Sequence, residues 1–118
     1  MTWNLTGDRP IWLQLMERLQ LGIVTGEYQA GERLPSVREL AAEAAVNPNT
    51  MQKAFAELEG SGLVVTQSTS GRMVTEDSDL IRNTRKRMAI QKAEQFFSGM
   101  KELGFAKEEA MALLEERL

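Results

Sequence analysis

Residues 33–74 read RLPSVRELAAEAAVNPNTMQKAFAELEGSGLVVTQSTSGRMV. Near the start of this stretch, Ser36 and Glu39 have the Ser-x-x-Glu spacing of a capping box. In a capping box, each side chain accepts a hydrogen bond from the backbone N–H of the other residue, which satisfies amides at the start of a helix. The spacing therefore predicts a short, alanine-rich helix over Val37–Ala44.

A second helix is predicted over residues 48–60. Asn47 is a strong N-cap, and Pro48 suits the first helical position, where a missing N–H costs nothing. The apolar residues of this segment recur at helical spacing and predict a buried face: Met51, Ala54, Phe55 and Leu58. Because only two or three residues separate the two helices, the pair has the spacing of a helix-turn-helix motif.

A β-hairpin is predicted after Gly62, which is suited to ending the second helix. Residues 63–66 and 72–74 are rich in β-forming side chains, and the loop between them, residues 67–71, is polar. An extended segment over residues 27–34 is expected to add a short strand beside the hairpin. A helix-turn-helix followed by a hairpin is a winged helix, so the sequence predicts a mostly α fold with a small β-hairpin wing.

The most N-terminal helix is predicted from about Pro10 to Thr25, with Asp8 or Arg9 as its cap and Pro10 as its opening residue. Apolar residues recur along it every four positions and indicate an amphipathic helix: Ile11, Leu15, Leu19 and Ile23. Trp3 and Trp12 lie close to its start, and we expect them to pack between subunits or against the core.

Two helices are predicted in the C-terminal part, a long one over residues 79–103 and a short one over Lys107–Arg117. Since a helical hairpin of about 40 residues is too small to be stable alone, we expect residues 77–118 to form a dimerisation arm on a winged-helix domain of residues 1–76. The alternative is that the arm folds back on its own winged helix. The expected interface is rich in aromatic residues and methionine, and comprises Met88, Phe96, Phe97, Met100, Leu103, Phe105, Met111 and Leu114.

Over residues 10–74 the chain resembles the N-terminal DNA-binding domain of the GntR family of bacterial transcription regulators. Three blocks carry the resemblance because they occur in order at matching distances: GERLPSVRELA, NPNT and AFAELEGSGLV. The short C-terminal part resembles that of the YtrA-like subgroup, whose tail is a pair of helices. The resemblance implies a DNA-binding regulator, and it implies that Arg38 in the block LPSVRELA contacts DNA.

Two positions depart from the family pattern. Gln52 stands where the family often has a basic residue. The predicted wing, STSGR at residues 68–72, carries Arg72 as its one charged residue. Gly71 and Arg72 remain the best candidates for a contact between the wing and the minor groove.

Helix-turn-helix proteins place the N-terminal residues of their second helix at base edges in the major groove. Asn and Gln can bind adenine through two hydrogen bonds, Lys reaches guanine O6 and N7, and a Thr methyl can meet a thymine methyl. The alternative for each such side chain is an ordinary solvated helix face. The expected contacts with double-stranded DNA are Arg33, Ser36, Arg38, Asn47, Asn49, Thr50, Gln52, Lys53, Gly71 and Arg72.

The charge of the chain is less favourable to DNA binding than these motifs are. The net charge is −3, and residues 1–76 carry six basic and nine acidic side chains, whereas DNA-binding domains are usually basic. We expect Glu17, Glu27, Glu57 and Glu59 to lie on faces away from the side that carries Arg33, Arg38, Lys53 and Arg72. Because few phosphates can then be neutralised, specificity should come from polar base contacts and affinity from two copies of the chain.

Composition argues against several other classes of protein. Cysteine and histidine are absent, so no disulfide, no thiolate chemistry, no metal site and no cofactor are expected. An enzyme is the weakest interpretation, because the sequence also lacks a phosphate-binding glycine loop and paired carboxylates at a plausible pocket. Without a signal peptide or a stretch long enough to span a bilayer, the chain is expected to be soluble and cytoplasmic, with no membrane partner.

The leading interpretation is a sequence-specific, DNA-binding transcription regulator, a dimeric repressor that inserts residues 48–60 into the major groove. The alternative is a protein-interaction winged helix in a larger assembly, which the negative net charge of the chain also suits. A small-molecule effector of unknown identity would have to bind between the tail helices or at the dimer interface. The basic run Arg82, Arg85, Lys86 and Arg87 could touch flanking phosphates, but a solvated face is the favoured interpretation.

Overall fold

A computed structural model describes residues 1–67 and 71–118 of the chain. Residues 68–70, which belong to the predicted wing loop, lie outside the described residues. The elements follow in the order α1 (Ile11–Val24), α2 (Val37–Ala44), α3 (Pro48–Ser61), β1 (Val64–Gln67), β2 (Gly71–Val74), α4 (Ser78–Glu102) and α5 (Lys107–Arg117). The chain is thus mostly α-helical with a small hairpin, as predicted. It divides into two compact units, Met1–Arg85 and Lys86–Leu118.

Three of the four residues of the apolar stripe of α1 are buried as predicted, and Ile11 is half-buried. The predicted cap is wrong. Pro10 occupies the N-cap position with ψ 133°, an extended conformation, so α1 begins at Ile11 and no side chain caps it. Asp8 instead accepts a hydrogen bond from the Thr6 hydroxyl. Pro10 therefore precedes the helix, because its ψ value does not belong to the first turn of a helix.

The capping box at the start of α2 is present. The Glu39 N–H donates to Ser36 Oγ at 3.1 Å, and the Ser36 N–H donates to Glu39 Oε1 at 3.4 Å. The helix ends at Ala44 because Ala45 adopts a left-handed conformation, with φ 57° and ψ 46°. The sequence does not predict this turn, because alanine carries no signal for a positive φ.

The ends of α3 also follow from local chemistry. Asn47 Oδ1 accepts a hydrogen bond from the Asn49 N–H at 2.7 Å, and Pro48 opens the helix, both as predicted. Gly62 closes the helix with φ 84°, a conformation that costs glycine little. The helix runs one residue past the predicted end, to Ser61. Its predicted inward face is fully buried: Met51, Ala54, Phe55 and Leu58.

The hairpin pairs β1 and β2 antiparallel, from Val64 opposite Val74 to Gln67 opposite Gly71. Gln67 and Gly71 were predicted to be loop residues; both are part of the paired strands. The segment before α2 runs beside β2 as predicted, but it forms one isolated bridge, Arg33 opposite Met73, and not a strand. Its backbone makes two hydrogen bonds of 2.9 Å with that strand, from the Leu34 N–H to the Arg72 carbonyl and from the Val74 N–H to the Glu32 carbonyl.

One hydrophobic cluster fills the unit Met1–Arg85. It is built from the inward faces of α1, α2 and α3 together with residues of the hairpin. The first turns of α4 belong to this unit as well, because Leu80 and Ile81 pack against the cluster. Asp77 supports the start of α4 by accepting a hydrogen bond from the Leu80 N–H at 3.0 Å. α4 begins and ends one residue earlier than predicted.

The unit Lys86–Leu118 contains the rest of α4 and all of α5, whose limits match the prediction. The turn between these helices is closed by a hydrogen bond of 3.0 Å from the Phe105 N–H to the Met100 carbonyl. Ala110 is fully buried, and Phe96 and Phe97 meet edge to face with ring centres 5.4 Å apart. Across the described ranges of the chain, none of the helices has the length and apolar character that a bilayer crossing requires.

Ala45→Gly is expected to raise the free energy of unfolding by about 1 kcal/mol, since it removes the cost of a left-handed alanine. Urea unfolding followed by circular dichroism would measure the change. Ala42→Gly is the matched control, because Ala42 lies exposed within α2 and glycine there should lower stability by about 1 kcal/mol. A loss of stability in both variants would show that Ala45 is not strained.

Candidate nucleic-acid interface

The first turns of α3 present polar side chains on the face opposite the core. Asn49, Gln52 and Lys53 are exposed, and Thr50 is half-buried. Asn47 is exposed too, but its Oδ1 is occupied by the Asn49 N–H, so its amide group remains as a donor. The helix periodicity that buries the apolar face thereby brings the predicted base-contacting residues onto one surface.

Lys53 is held in place by an aromatic ring of α1. Its Nζ lies 4.4 Å from the centre of the Trp12 ring, a distance at which a cation is attracted to the face of an indole. Trp12 is half-buried, so the ring lies at the boundary between the core and the polar surface of α3. This role of Trp12 was not predicted, since its position near the start of α1 indicates packing and the contact joins two different helices.

Arg72 lies along α3. Its Nε donates to Glu59 Oε1 at 2.5 Å, and its Nη2 donates to Gln52 Oε1 at 3.4 Å. The guanidinium carbon is 5.3 Å from the centre of the Phe55 ring. The expectation that Glu59 lies away from the side that carries Arg72 is therefore wrong. Glu59 follows Gln52 by seven residues, and residues seven apart lie on the same side of a helix.

A cleft of about 410 Å³ opens between the start of α2 and the first residues of β2. Arg33 is exposed at this cleft, and its guanidinium lies over Gly71, where an added Cβ would come within 3.7 Å of Arg33 Nε. That distance is an ordinary contact, so it is the φ of 77° that favours glycine at this position. The cleft is lined by Tyr28, Glu32, Arg33, Leu34, Pro35, Ser36, Glu39, Gly71 and Arg72.

The electrostatics of this surface are mixed. Arg33 and Arg38 form no ion pair with any residue that the structure describes, whereas Arg72 is paired with Glu59. Burial, reinforced by the negative charges of Glu43 and Glu27, raises the pKa of the Tyr28 phenol above its ordinary value. Tyr28 therefore stays neutral at physiological pH and can donate a hydrogen bond into the cleft.

The structure places the predicted interface residues of the arm at or near the surface. Met88, Phe97 and Met100 are half-buried, and the other predicted residues are exposed, most of all Leu103 at 74%. A cavity of about 470 Å³ lies within the unit Lys86–Leu118, the region to which the sequence assigned a possible effector. Its lining is Phe97, Ser98, Lys101, Phe105, Ala106 and Lys107.

The basic run at the start of α4 is exposed throughout. Arg82 pairs with Asp79, one turn away on the same helix. Arg85, Lys86 and Arg87 make no ion pair with any part of the chain in residues 1–67 and 71–118. For Arg82 the pairing agrees with a solvated helix face.

Comparison with known proteins points to one family. The model of the family described as bacterial regulatory proteins, gntR family, matches residues 12–74. YhcF of Bacillus subtilis, described as an uncharacterized HTH-type transcriptional regulator, is 36% identical over 104 residues, which cover 88% of this chain and 86% of that protein. The HTH-type transcriptional repressor YtrA of the same organism is 38% identical over 69 residues, which cover 58% of this chain and 53% of YtrA.

A solved structure of a GntR family transcriptional regulator from Listeria monocytogenes superposes with a TM-score of 0.87 at 39% identity. The superposition covers 95% of this chain and 98% of the Listeria chain. The similarity therefore extends over both the winged helix and the C-terminal helices.

Asn47→Ala is expected to lower the free energy of unfolding by about 1 kcal/mol, because it leaves the Asn49 N–H without its side-chain acceptor. Asn47→Asp keeps an acceptor at the same place and should stay within a few tenths of a kcal/mol of the unmodified protein. Urea unfolding of the three proteins makes the comparison. Equal stability of Asn47→Ala and the unmodified protein would contradict a capping role.

Proposed function

The chain belongs to the GntR family of bacterial regulatory proteins, in its YtrA-like subgroup, and from this premise we propose that it is a dimeric repressor that inserts α3 into the major groove of its operator. Members of the family are DNA-binding transcription regulators and not enzymes. The proposal concerns what family membership leaves open: the groove contacts, the dimer and the direction of regulation.

The observation that carries the proposal is the exposed polar start of α3. Asn49, Gln52 and Lys53 project from the first two turns of a helix whose other face is locked into the core. In helix-turn-helix proteins the corresponding turns meet base edges, and these three side chains provide the donors and acceptors that the major groove can distinguish. Thr50 offers a methyl group beside them.

The remaining proposed contacts serve the DNA backbone. Arg33 and Arg38 are exposed cations near the start of α2, where Ser36 caps a helix end whose free amides favour phosphate. Because Arg72 is paired with Glu59, the wing contributes less charge than its sequence suggests. One copy can therefore neutralise few phosphates, and the acidic net charge of −3 adds no long-range attraction.

Two copies would compensate for this weak electrostatic attraction. We assign dimerisation to the arm, residues 77–118, and DNA binding to residues 1–76; the compact N-terminal unit reaches Arg85 because Leu80 and Ile81 pack on its core. The apolar surface of the arm supports this assignment, since Leu103, Met111 and Leu114 are exposed. A two-fold dimer would present two copies of α3 to half-sites about one helical turn apart.

Repression is proposed from the relative YtrA, which is described as a transcriptional repressor. A dimer bound across a promoter would block access of the transcription machinery to the DNA. The negative net charge also fits a second function, that of a protein-interaction winged helix. That function requires no preference among DNA sequences.

The double variant Asn49→Ala and Lys53→Ala is expected to lose discrimination between specific and random DNA by more than tenfold, because each base contact contributes about 1–3 kcal/mol. The probe is a duplex from the region upstream of the protein's own gene, titrated at several salt concentrations beside random duplex. Glu57→Ala is the control, since Glu57 is exposed on the same helix outside the proposed contact set. Binding of the unmodified protein without sequence preference would favour the protein-interaction function.

Leu103→Glu is expected to convert the dimer to a monomer, because it places a charge in the proposed interface at a side chain that is 74% exposed in the single chain. Sedimentation velocity would measure the mass. Leu21→Glu is the control, since Leu21 is exposed on α1, outside the arm. A Leu103→Glu protein that remains dimeric, or an unmodified protein that is monomeric at micromolar concentration, would contradict the proposed interface.

A further inference from the structure

A chain of polar contacts connects the hairpin to the exposed face of α3. Glu59, Arg72 and Gln52 are its members. Arg72 bridges two turns of the helix, with its Nε at 2.5 Å from Glu59 Oε1 and its Nη2 at 3.4 Å from Gln52 Oε1. Both side chains of this ion pair are mostly buried, with exposed fractions of 26% for Arg72 and 33% for Glu59.

The chemistry of arginine fixes the orientation of Gln52. A guanidinium group has donors and no acceptor, so a glutamine beside it must turn its carbonyl oxygen toward the arginine. The amide nitrogen of Gln52 is then left to donate elsewhere. The base edges that accept from such a donor in the major groove are purine N7, guanine O6 and thymine O4, whereas cytosine offers only an amino group.

The same contacts hold the Arg72 side chain against α3. The Glu59 carboxylate neutralises the guanidinium, whose central carbon lies 5.3 Å from the centre of the Phe55 ring. The backbone of Arg72 is fixed as well, through its pairing with Thr66 and through the hydrogen bond from the Leu34 N–H to its carbonyl.

We infer that Glu59 is a specificity-determining residue which acts through Arg72, positioning the Gln52 amide for base readout and withholding the Arg72 charge from the DNA backbone. The inference rests on the proposed function, since it requires α3 to enter the major groove. It deepens that function by assigning Gln52 a base with a hydrogen-bond acceptor. It also explains how an acidic side chain beside the proposed interface can favour specific binding.

Loss of the Glu59 carboxylate should change two measurements in opposite directions. In Glu59→Ala, the freed Arg72 can reach a phosphate, so affinity for random duplex DNA should rise several-fold and the slope of log K against log salt should steepen by about 0.9. Discrimination at the base pair that Gln52 reads should fall by about fivefold or more, the lower range for a side-chain contact to a base. Gln52→Ala identifies that base pair in a panel of single-base operator variants.

Glu57→Ala is the matched control, because it removes the same charge and the same side chain from α3 at an exposed position away from Arg72. It should raise affinity only slightly and leave discrimination unchanged. In the double variant Gln52→Ala and Glu59→Ala, the gain in random-DNA affinity should persist, while discrimination at the Gln52 base pair should fall no further than in Gln52→Ala. Circular dichroism of each variant confirms that the fold is retained.

The outcomes separate this inference from the function on which it rests. If the unmodified protein prefers its operator and Glu59→Ala behaves like Glu57→Ala in affinity, salt slope and discrimination, the role of Glu59 is refuted and the regulator stands. If the unmodified protein shows no preference among duplexes, the proposed function itself fails. A fall of both affinity and discrimination in a folded Glu59→Ala would also refute the inference, because it would mean that Glu59 does not restrain Arg72.

Discussion

The burial of one face of α3 is the constraint on which the rest of the structure depends. Phe55 and the other fully buried residues of this helix pack into the cluster shared with α1 and α2, and burial of each large apolar side chain stabilises the fold by about 1.5–3 kcal/mol. Rotation of the helix would expose those side chains, so the opposite face has a fixed orientation. The core therefore decides which side of α3 carries Gln52 and Lys53, and the contacts with Arg72 and Trp12 then orient their side chains.

Much of the fold could be predicted because its boundaries are set by local chemistry. The Ser36–Glu39 box and the Asn47 cap depend on residues within three positions of each other, and such short-range signals are visible in a sequence. The two boundaries that were not predicted correctly, at Ala45 and Pro10, have no such short-range signal. Ala45 turns left-handed without glycine or asparagine, and Pro10 could have opened a helix or preceded one, a choice that depends on how the N-terminal segment packs.

The candidate site was less predictable, since its key contacts join residues that are distant in the chain. Arg72 on β2 reaches Glu59 on α3, and Lys53 on α3 meets Trp12 on α1. Residue type and spacing selected the polar face of α3, but they could not reveal which charges are already neutralised. A count of basic and acidic side chains therefore overstates the free positive charge of the wing, because Arg72 is already paired with Glu59. The position of Glu59 beside Arg72 was also wrongly predicted.

The hydrogen bonds between β2 and the segment before α2 have a mechanical consequence. The carbonyl of Arg72 and the N–H of Val74 hold Leu34 and Glu32, and the next residues of the chain lead directly into the Ser36 cap. The hairpin cannot move without also moving the first turn of α2 or breaking these hydrogen bonds. The wing and the helix-turn-helix are thus coupled, and a displacement of the hairpin also displaces the start of α2.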